Sequence, residues 1–354
     1  MMTLRLFAAG LPSIPQMTAW YLSDLGEARG KQELFTRQSP QRLKVLREHA
    51  LIESAVSSNR MEGVTVDCSR VATLVFGRPL LRDRDEEEVR GYRDALKLIH
   101  EGAGKLKVNE ATVRRFHRLC QGGTGDAGQY KAKDSDIVEK YPDGRVRVRF
   151  KTLAAAKTPA AVRASLDLWS DGLKARGVHP LILLGGFNLD FLCVHPFRDG
   201  NGRVSRLLLL LQCYRLGYQV GRYVSLERLI EQNKDRYYET LEQSSRGWHE
   251  GRHDPWAYIN YLLWTLKTAY KEFERRVGDM AEPRGAKAQI VADAIRRQPG
   301  EFRLVDIERA CPGVSREWIR TLLAKMRAEG KVTCRGRGLA ARWRFPEHKG
   351  STLK

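Results

Sequence analysis

Within twelve residues, His195-Pro196-Phe197-Arg198-Asp199-Gly200-Asn201-Gly202-Arg203-Val204-Ser205-Arg206 brings together the groups needed to handle a phosphate ester. His195 can accept a proton near neutral pH. Asp199 can hold Mg²⁺ through one carboxylate, the usual arrangement when phosphates supply other ligands. Gly200 and Gly202 allow positive φ or a close backbone approach to a ligand. The run 181–194 before them is apolar and five leucines follow at 207–211, so the segment reads as helix, polar loop, helix. Pro196 ends the first helix, because the residue before a proline is pushed out of the α region. The amides of 200–203 then stand at a helix N-terminus, where the dipole favours an anion. Arg203 and Arg206 lie three apart on the first turn and reach the same side. Two cations there oppose the dipole, which makes sense if a polyanion lies between them. A histidine beside apolar residues is ordinarily a satisfied core side chain, and Gly-Asn-Gly alone is ordinarily a turn. No packing argument requires all these groups together, and the combination reads as a phosphate-transfer site.

The elements that must position this run are mostly helices. Ser39-Pro40 reads as an N-cap and first helical position, and Leu43, Leu46, Ala50, Ile52, Ala55 and Val56 give the helix an apolar stripe. That helix runs to about Met61 and stops at Gly63. Before it, residues 1–39 read as an irregular arm with one short helix. The charge run 82–90 reads as a solvated loop and helix face opening an amphipathic helix, and Asn109 caps another over 109–119. Alternating residues at 145–150, after Tyr141-Pro142-Asp143-Gly144 and Ile137-Val138, predict a β-hairpin. Further helices are expected over 159–176, 223–230, 231–243 and 255–277. In the third of these, Tyr237 and Tyr238 must face different ways, one to the core and one to a pocket.

At 354 residues, two or three domains are expected. The chain carries 62 Lys+Arg against 42 Asp+Glu, a formal charge of +20, which suggests a polyanionic partner. Half of that excess lies in residues 284–354, with 17 Lys+Arg and 7 Asp+Glu. There, after a boundary at 282–285, helices over 286–298, 305–310 and 315–329 precede two strands within 331–345, the order of a winged helix-turn-helix. Arg316, Arg320, Lys325 and Arg327 fall on its third helix, and Arg335, Arg337, Arg342 and Arg344 on its wing, which suits duplex DNA. The expected organisation is an arm at 1–39, a catalytic domain at 40–280 and a winged-helix domain at 285–346. The six cysteines show no C-x-x-C spacing, so neither a zinc site nor a disulfide framework is suggested. No stretch reaches the roughly 18–20 apolar residues of a membrane span and no leader is evident, so a reducing cytoplasm is the expected location.

The central run resembles the Fic (filamentation induced by cAMP) domain signature, His-x-Phe-x-(Asp/Glu)-Gly-Asn-Gly-Arg-x-x-Arg, with every defining position filled. The resemblance implies a mainly α domain with a β-hairpin flap that transfers AMP from ATP to a Ser, Thr or Tyr hydroxyl of a target protein, itself included. It also implies roles: His195 as general base, Asp199 on Mg²⁺, Gly200, Asn201, Gly202 and the loop amides on the α-phosphate side, and Arg203 and Arg206 on the β- and γ-phosphates. Tyr238 would border the adenine. Ser58-Asn59-Arg60-Met61-Glu62-Gly63 resembles the family's inhibitory-helix motif, (Ser/Thr)-x-x-x-Glu-(Gly/Asn), which implies that Glu62 pairs with Arg206 and blocks the γ-phosphate position. The hairpin resembles the flap that aligns a target segment by strand addition, and its three arginines would favour an acidic segment or ATP. Two alternatives stay open: a DNA-binding regulator that uses this domain as a nucleotide sensor, and an enzyme of the same fold that removes AMP. A homo-oligomer is also left open.

Overall fold

The structure, a computed structural model, describes residues 2–10, 12–36, 40–77, 79–140, 143–279, 291–292, 294–295, 298, 300–311, 314–336, 338 and 341–344. The chain divides into two compact units, Met1–Gln38 with Leu46–Glu274 and Ser39–Val45 with Arg275–Lys354.

Six helices open the chain: α1 (Thr3–Ala9), α2 (Gln16–Thr36), α3 (Pro40–Arg60), α4 (Cys68–Phe76), α5 (Arg84–Gly102) and α6 (Glu110–Gln121). A hairpin of β1 (Asp136–Lys140) and β2 (Val146–Lys151) follows, then α7 (Thr158–Ala175), α8 (Pro180–Val194) and α9 (Asn201–Arg215). Then come α10 (Leu226–Gln232), α11 (Lys234–Ser245) and α12 (Trp256–Asp279), the last of which runs past the end of the first unit at Glu274. The mainly α reading with one hairpin holds, as does the helix that ends just before Glu62. Its Ser39 cap, the hairpin's Tyr141-Pro142 and the boundary at 282–285 lie outside the described residues.

The core is built on α8 and α9. Every residue of α8 after Pro180 is buried, as are Asn201 and residues 203–214 of α9. A helix apolar all round can only sit inside, and here α1 and α7 cover α8 while α5 and α6 cover α9. Glycines permit the closest approaches. A Cβ at Gly91 of α5 would fall 1.8 Å from the Leu119 carbonyl oxygen of α6, and one at Gly186 of α8 would fall 2.8 Å from the Phe7 ring. α8 ends where His195 adopts the left-handed conformation at φ 50°, its N–H donating to Phe191 O at 2.9 Å. α9 begins after Gly200, at φ 74°.

Two expectations need correction. Residues 1–39 are not an irregular arm with one short helix, since α1 and the 21-residue α2 fill most of the segment. α1 is capped from far away: Thr3 N–H and Leu4 N–H donate to the buried Asp190 carboxylate of α8 at 2.7 and 3.0 Å. A carboxylate there satisfies N–H groups that lack partners within the helix. The run 82–90 is not wholly solvated either, because Glu86 and Glu88 are buried. Glu86 accepts from Arg70 and Arg82 N–H, and Glu88 pairs with Arg84 and Arg203.

The hairpin pairs antiparallel, Asp136 with Lys151 and Lys140 with Val146, with an irregularity between Ile137 and Val138. Arg147 and Arg149 of β2 reach Glu242 of α11 at 2.7 and 3.1 Å, and Arg145 bonds Asp143 at 2.6 Å. All three arginines are therefore engaged by the chain's own carboxylates.

In the second unit, helices Leu304–Ala310 and Arg316–Ala328 are followed by strands Thr333–Arg335 and Arg342–Arg344, paired antiparallel. Ser315 caps the second helix, its hydroxyl accepting from Trp318 N–H at 3.3 Å. Phe302, Ile307, Ile319, Leu323 and Val332 form its core with Val291 and Ile295. Most of the helix expected over 286–298, the turns at 312–313 and part of 299–300, and Arg337 lie outside the described residues. Among the described residues, no helix is long and apolar enough to cross a membrane.

Candidate active site

The loop between α8 and α9 opens onto a cavity of about 390 Å³. His195, Gly202 and Arg206 form one wall with Glu62 at the end of α3; Ile137, Val138 and Phe150 of the hairpin form another; Tyr238 and Glu242 of α11 complete it. Residues separated by more than 170 positions thus meet at one place.

His195 presents its ring to this cavity from a strained backbone, since a non-glycine residue rarely takes positive φ. Its Nδ1 is buried without a hydrogen-bond partner. Burial, and then the Lys131 cation, push its pKa down to about 4, so the imidazole is neutral at pH 7 and free to take a proton.

Arg206 is almost fully buried and held by α3 from three atoms. Nε donates to Ser58 Oγ at 2.8 Å, and Nη2 donates to Ser58 O at 2.9 Å and to Glu62 Oε1 at 2.7 Å. Nη1 is left without a partner. Gly202 makes room for the acid, because a Cβ there would meet Glu62 Oε1 at 2.3 Å. The first helical hydrogen bond of α9 runs from Val204 N–H to Gly200 O at 3.0 Å, so the amides of 201–203 precede it. The Glu62 carboxylate therefore lies at the N-terminus of α9 and on a guanidinium, the surroundings expected for a phosphate.

Arg203 behaves differently from its neighbour. It is fully buried outside the cavity lining, bonded to Glu88 and within 3.3 Å of Asn59 Oδ1, 3.4 Å of Cys120 O and 3.5 Å of Asp199 Oδ2. Asn201 spends its amide on the loop, accepting from Phe197 N–H at 2.9 Å and donating to Phe197 O at 2.8 Å. Asp199 is more than half exposed. Oδ1 accepts from Gly200 N–H at 2.7 Å, and Oδ2 lies 3.3 Å from Gln121 Nε2. Burial alone would raise its pKa, but these hydrogen bonds with Arg203 and Arg84 hold it below the usual value, so it is ionised. Tyr237 is buried and Tyr238 half-buried, but both line the cavity, so the expected division between core and pocket is not complete; the Arg149 guanidinium lies 5.6 Å from the Tyr238 ring centre.

Several groups that shape the loop escaped the sequence reading. His117 stacks on Phe197 with ring centres 3.8 Å apart, accepts from Gly128 N–H at 2.8 Å through Nδ1, and lies 3.1 Å from Asp199 O through Nε2. Accepting at Nδ1 fixes the tautomer, so Nε2 donates. Lys131 and Gln121 are likewise buried against the loop. Nothing local to these residues announces the role: His117 occupies an apolar face of α6, where a histidine reads as ordinary core.

The match to known proteins falls on this region. Residues 107–213 match the Fic/DOC family, which spans the loop and both central helices, so this stretch is a Fic domain. Among curated proteins, the chain is 22% identical over 251 residues to "Protein adenylyltransferase Fic" of Nematostella vectensis, covering 67% of this chain and 53% of that protein. It is 21% identical to the protein of the same name from Drosophila persimilis, covering 59% and 39%. The chain thus spans about half, or less, of the length of these relatives. Among solved structures, a Fic family protein from Desulfovibrio desulfuricans G20 aligns with TM-score 0.61 at 22% identity, covering 95% of this chain and 98% of that one. A Fic domain containing signaling protein from Bacteroides thetaiotaomicron aligns with TM-score 0.60 at 21% identity, covering 72% and 98%. These likenesses establish the fold.

The buried histidines give stability a definite pH dependence. Burial is the largest cause in each case, pushing His195, His117 and His253 to about 4 and His100 to about 3 from an ordinary value of 6.5. A depressed histidine contributes stability fully present above its unfolded pKa and lost as pH falls towards the folded one. Asp190, raised by burial to about 6, works in the opposite direction, one group against four. The denaturant midpoint is therefore expected to fall between pH 6.5 and about 4. A midpoint that stays flat or rises over that window would contradict this burial of neutral imidazoles.

Proposed function

We propose that this protein transfers AMP from ATP to a hydroxyl of a target protein, and that Glu62 restrains the reaction. The reading rests on one observation above all: His195 and Arg206 line the same cavity, and Arg206 is engaged there by the carboxylate of Glu62. The names of the curated relatives support ATP as the nucleotide and a protein as acceptor.

The steps follow from the residues. Neutral His195 takes the proton of the acceptor Ser, Thr or Tyr hydroxyl as that oxygen attacks the α-phosphorus. The new O–P bond forms as the bond from the α-phosphorus to the bridging oxygen breaks, and pyrophosphate leaves. The amides at the start of α9 receive negative charge on the phosphate oxygens, and Arg206 binds the γ-phosphate. Arg203 acts on the nucleotide from beneath, through its hold on Asp199 and the loop. Asp199 suits Mg²⁺: it is an ionised, half-exposed hard oxygen donor, and phosphate oxygens would complete the coordination. Among the described residues no group of three or more His, Cys, Asp or Glu could hold a metal without them. Bound there, Mg²⁺ would neutralise charge on the departing pyrophosphate. Tyr238 and the apolar face of the hairpin suit the base. With Glu62 on Arg206, the γ-phosphate has no seat, and ATP can bind only out of line.

A second activity concerns the C-terminal unit, which we read as a winged helix-turn-helix that binds duplex DNA. Arg316, Arg320 and Arg327 are exposed and fall within about 40° of one another around their helix, and Arg335, Arg342 and Arg344 are exposed on the strands. Such a basic helix and hairpin suit phosphate contacts.

Each reading has its own test. Incubation with α-labelled ATP and a lysate should label protein bands, and Glu62→Gly should raise labelling. His195→Ala should lower it on the order of 10²–10⁴-fold while sparing ATP binding. Labelling that survives His195→Ala in a folded protein would remove the general base from the account. For the C-terminal unit, the full chain should retard duplex DNA with an affinity that falls steeply with salt, and Arg320→Ala with Arg327→Ala should flatten that slope by roughly two phosphate contacts. No retardation at low salt would leave this unit a protein-contact module.

A further inference from the structure

Lys131 is an unusual residue to find where it is. Its side chain is 6% exposed, beyond the reach of the cavity, in a stretch of turn just before the hairpin. Buried lysines are rare unless partnered, and this one is partnered by the catalytic loop. Its Nζ donates to Val194 O at 3.2 Å, while its own backbone N–H donates to Pro196 O at 2.9 Å. One residue thus grips the carbonyls of the two residues that flank His195. The same ammonium donates to Thr152 Oγ1 at 2.7 Å, and Thr152 donates to Ser135 O at 2.5 Å, which ties the grip to both ends of the hairpin.

His195 needs such a grip. It stands at φ 50°, and only Arg176 among the other described non-glycine residues has positive φ. A strained conformation persists only where its surroundings over-determine it. The helix itself supplies one restraint, His195 N–H to Phe191 O, and Asn201 fixes Phe197 on the far side. Neither holds the carbonyls on both flanks.

We propose that Lys131 is a positioning residue, which holds the carbonyls of the two residues flanking His195 and so presents the imidazole to the cavity in the conformation the reaction uses. Its charge has a second consequence at the ring. The groups acting on His195 are Lys131, which disfavours the imidazolium, and Glu62, Asp199 and the Leu192 carbonyl, which favour it. Those acting on Lys131 itself are Asp134 and Asp136 at the start of the hairpin, and burial holds its own pKa near 8. Lys131 therefore holds the base in place and adds to the burial that already disfavours its protonation. The role rests on His195 being the base of AMP transfer, but its physical basis can be read without any reaction.

The test uses the full chain carrying Lys131→Met and Lys131→Gln, with folding checked by circular dichroism. Both changes leave the backbone bond to Pro196 in place; glutamine keeps a donor for Val194 O, and methionine does not. The His195 ring is followed by NMR through a pH titration, with His195→Ala identifying its signal. Removing the cation should raise the His195 midpoint by about one pH unit in both variants. The kcat for transfer should fall at least about tenfold in Lys131→Met and less in Lys131→Gln, with KM for ATP unchanged. A folded variant with the wild-type midpoint and wild-type kcat would overturn the proposal and leave Lys131 a merely structural lysine. If Lys131→Met fails to fold, the glutamine variant decides by the same midpoint. If the wild type and Glu62→Gly transfer no AMP to any acceptor, the midpoint still reports on Lys131, so that failure counts against the proposed function alone.

Discussion

A guanidinium with 2% of its side chain exposed cannot be left uncompensated, and Arg206 sets the terms for everything around it. Burial opposes its charge, and Glu62 leads the groups that outweigh burial and raise its pKa above the ordinary arginine value. Removing one partner of a fully buried pair costs about 3–5 kcal/mol. Here the cost is smaller, because Glu62 is about a quarter exposed and Ser58 keeps two bonds to the same group. Ser58 supplies two of the three bonds to Arg206, and the partly exposed Glu62 supplies the third. An anion on the unpartnered Nη1, or in place of Glu62, would satisfy the same cation.

The same logic extends outward from the loop. Arg203 is matched by Glu88, which is matched by Arg84, and Arg84 and Arg203 both lie within 4 Å of Asp199. Asp199 is thus held by cations on α5 and α9, by Gln121 on α6, and by its own backbone through His117. Asp199 and Arg203 thus find partners on other helices, while Asn201 bonds Phe197 within the loop itself. Misplacing α5 or α9 would leave the buried Arg203–Glu88 pair broken, and Gly91 of α5 permits its close crossing with α6. The chain pays for a strained histidine with an unstrained frame.

Much of this was legible in the sequence. The twelve-residue run, the helices that flank it, the helix ending before Glu62 and the hairpin all announced themselves by spacing, because each depends on neighbours in the chain. The pairing of Glu62 with Arg206 came only from resemblance, and the structure brings the two together. What escaped was whatever depends on a distant partner. α1 looked irregular because its cap, Asp190, lies 187 positions away. Glu86 and Glu88 looked solvated because Arg70 and Arg203, their distant partners, come from α4 and α9. Arg203 looked like a ligand-facing twin of Arg206, yet the turn of the helix sends it to Glu88. His117 and Lys131 had no local signal, since a lone histidine or lysine is meaningful only beside the carbonyl it holds.

If Glu62 sits where a γ-phosphate would bind Arg206, as proposed, nucleotide affinity measures it directly. Calorimetric titration of the wild type and Glu62→Gly with ATP, ADP and AMP isolates the terminal phosphate. Glu62→Gly should tighten ATP by about tenfold or more, as a charge-assisted bond to Arg206 becomes available, while AMP changes little. Equal gains for AMP and ATP, or no gain for ATP, would mean that the carboxylate does not hold the γ-phosphate site.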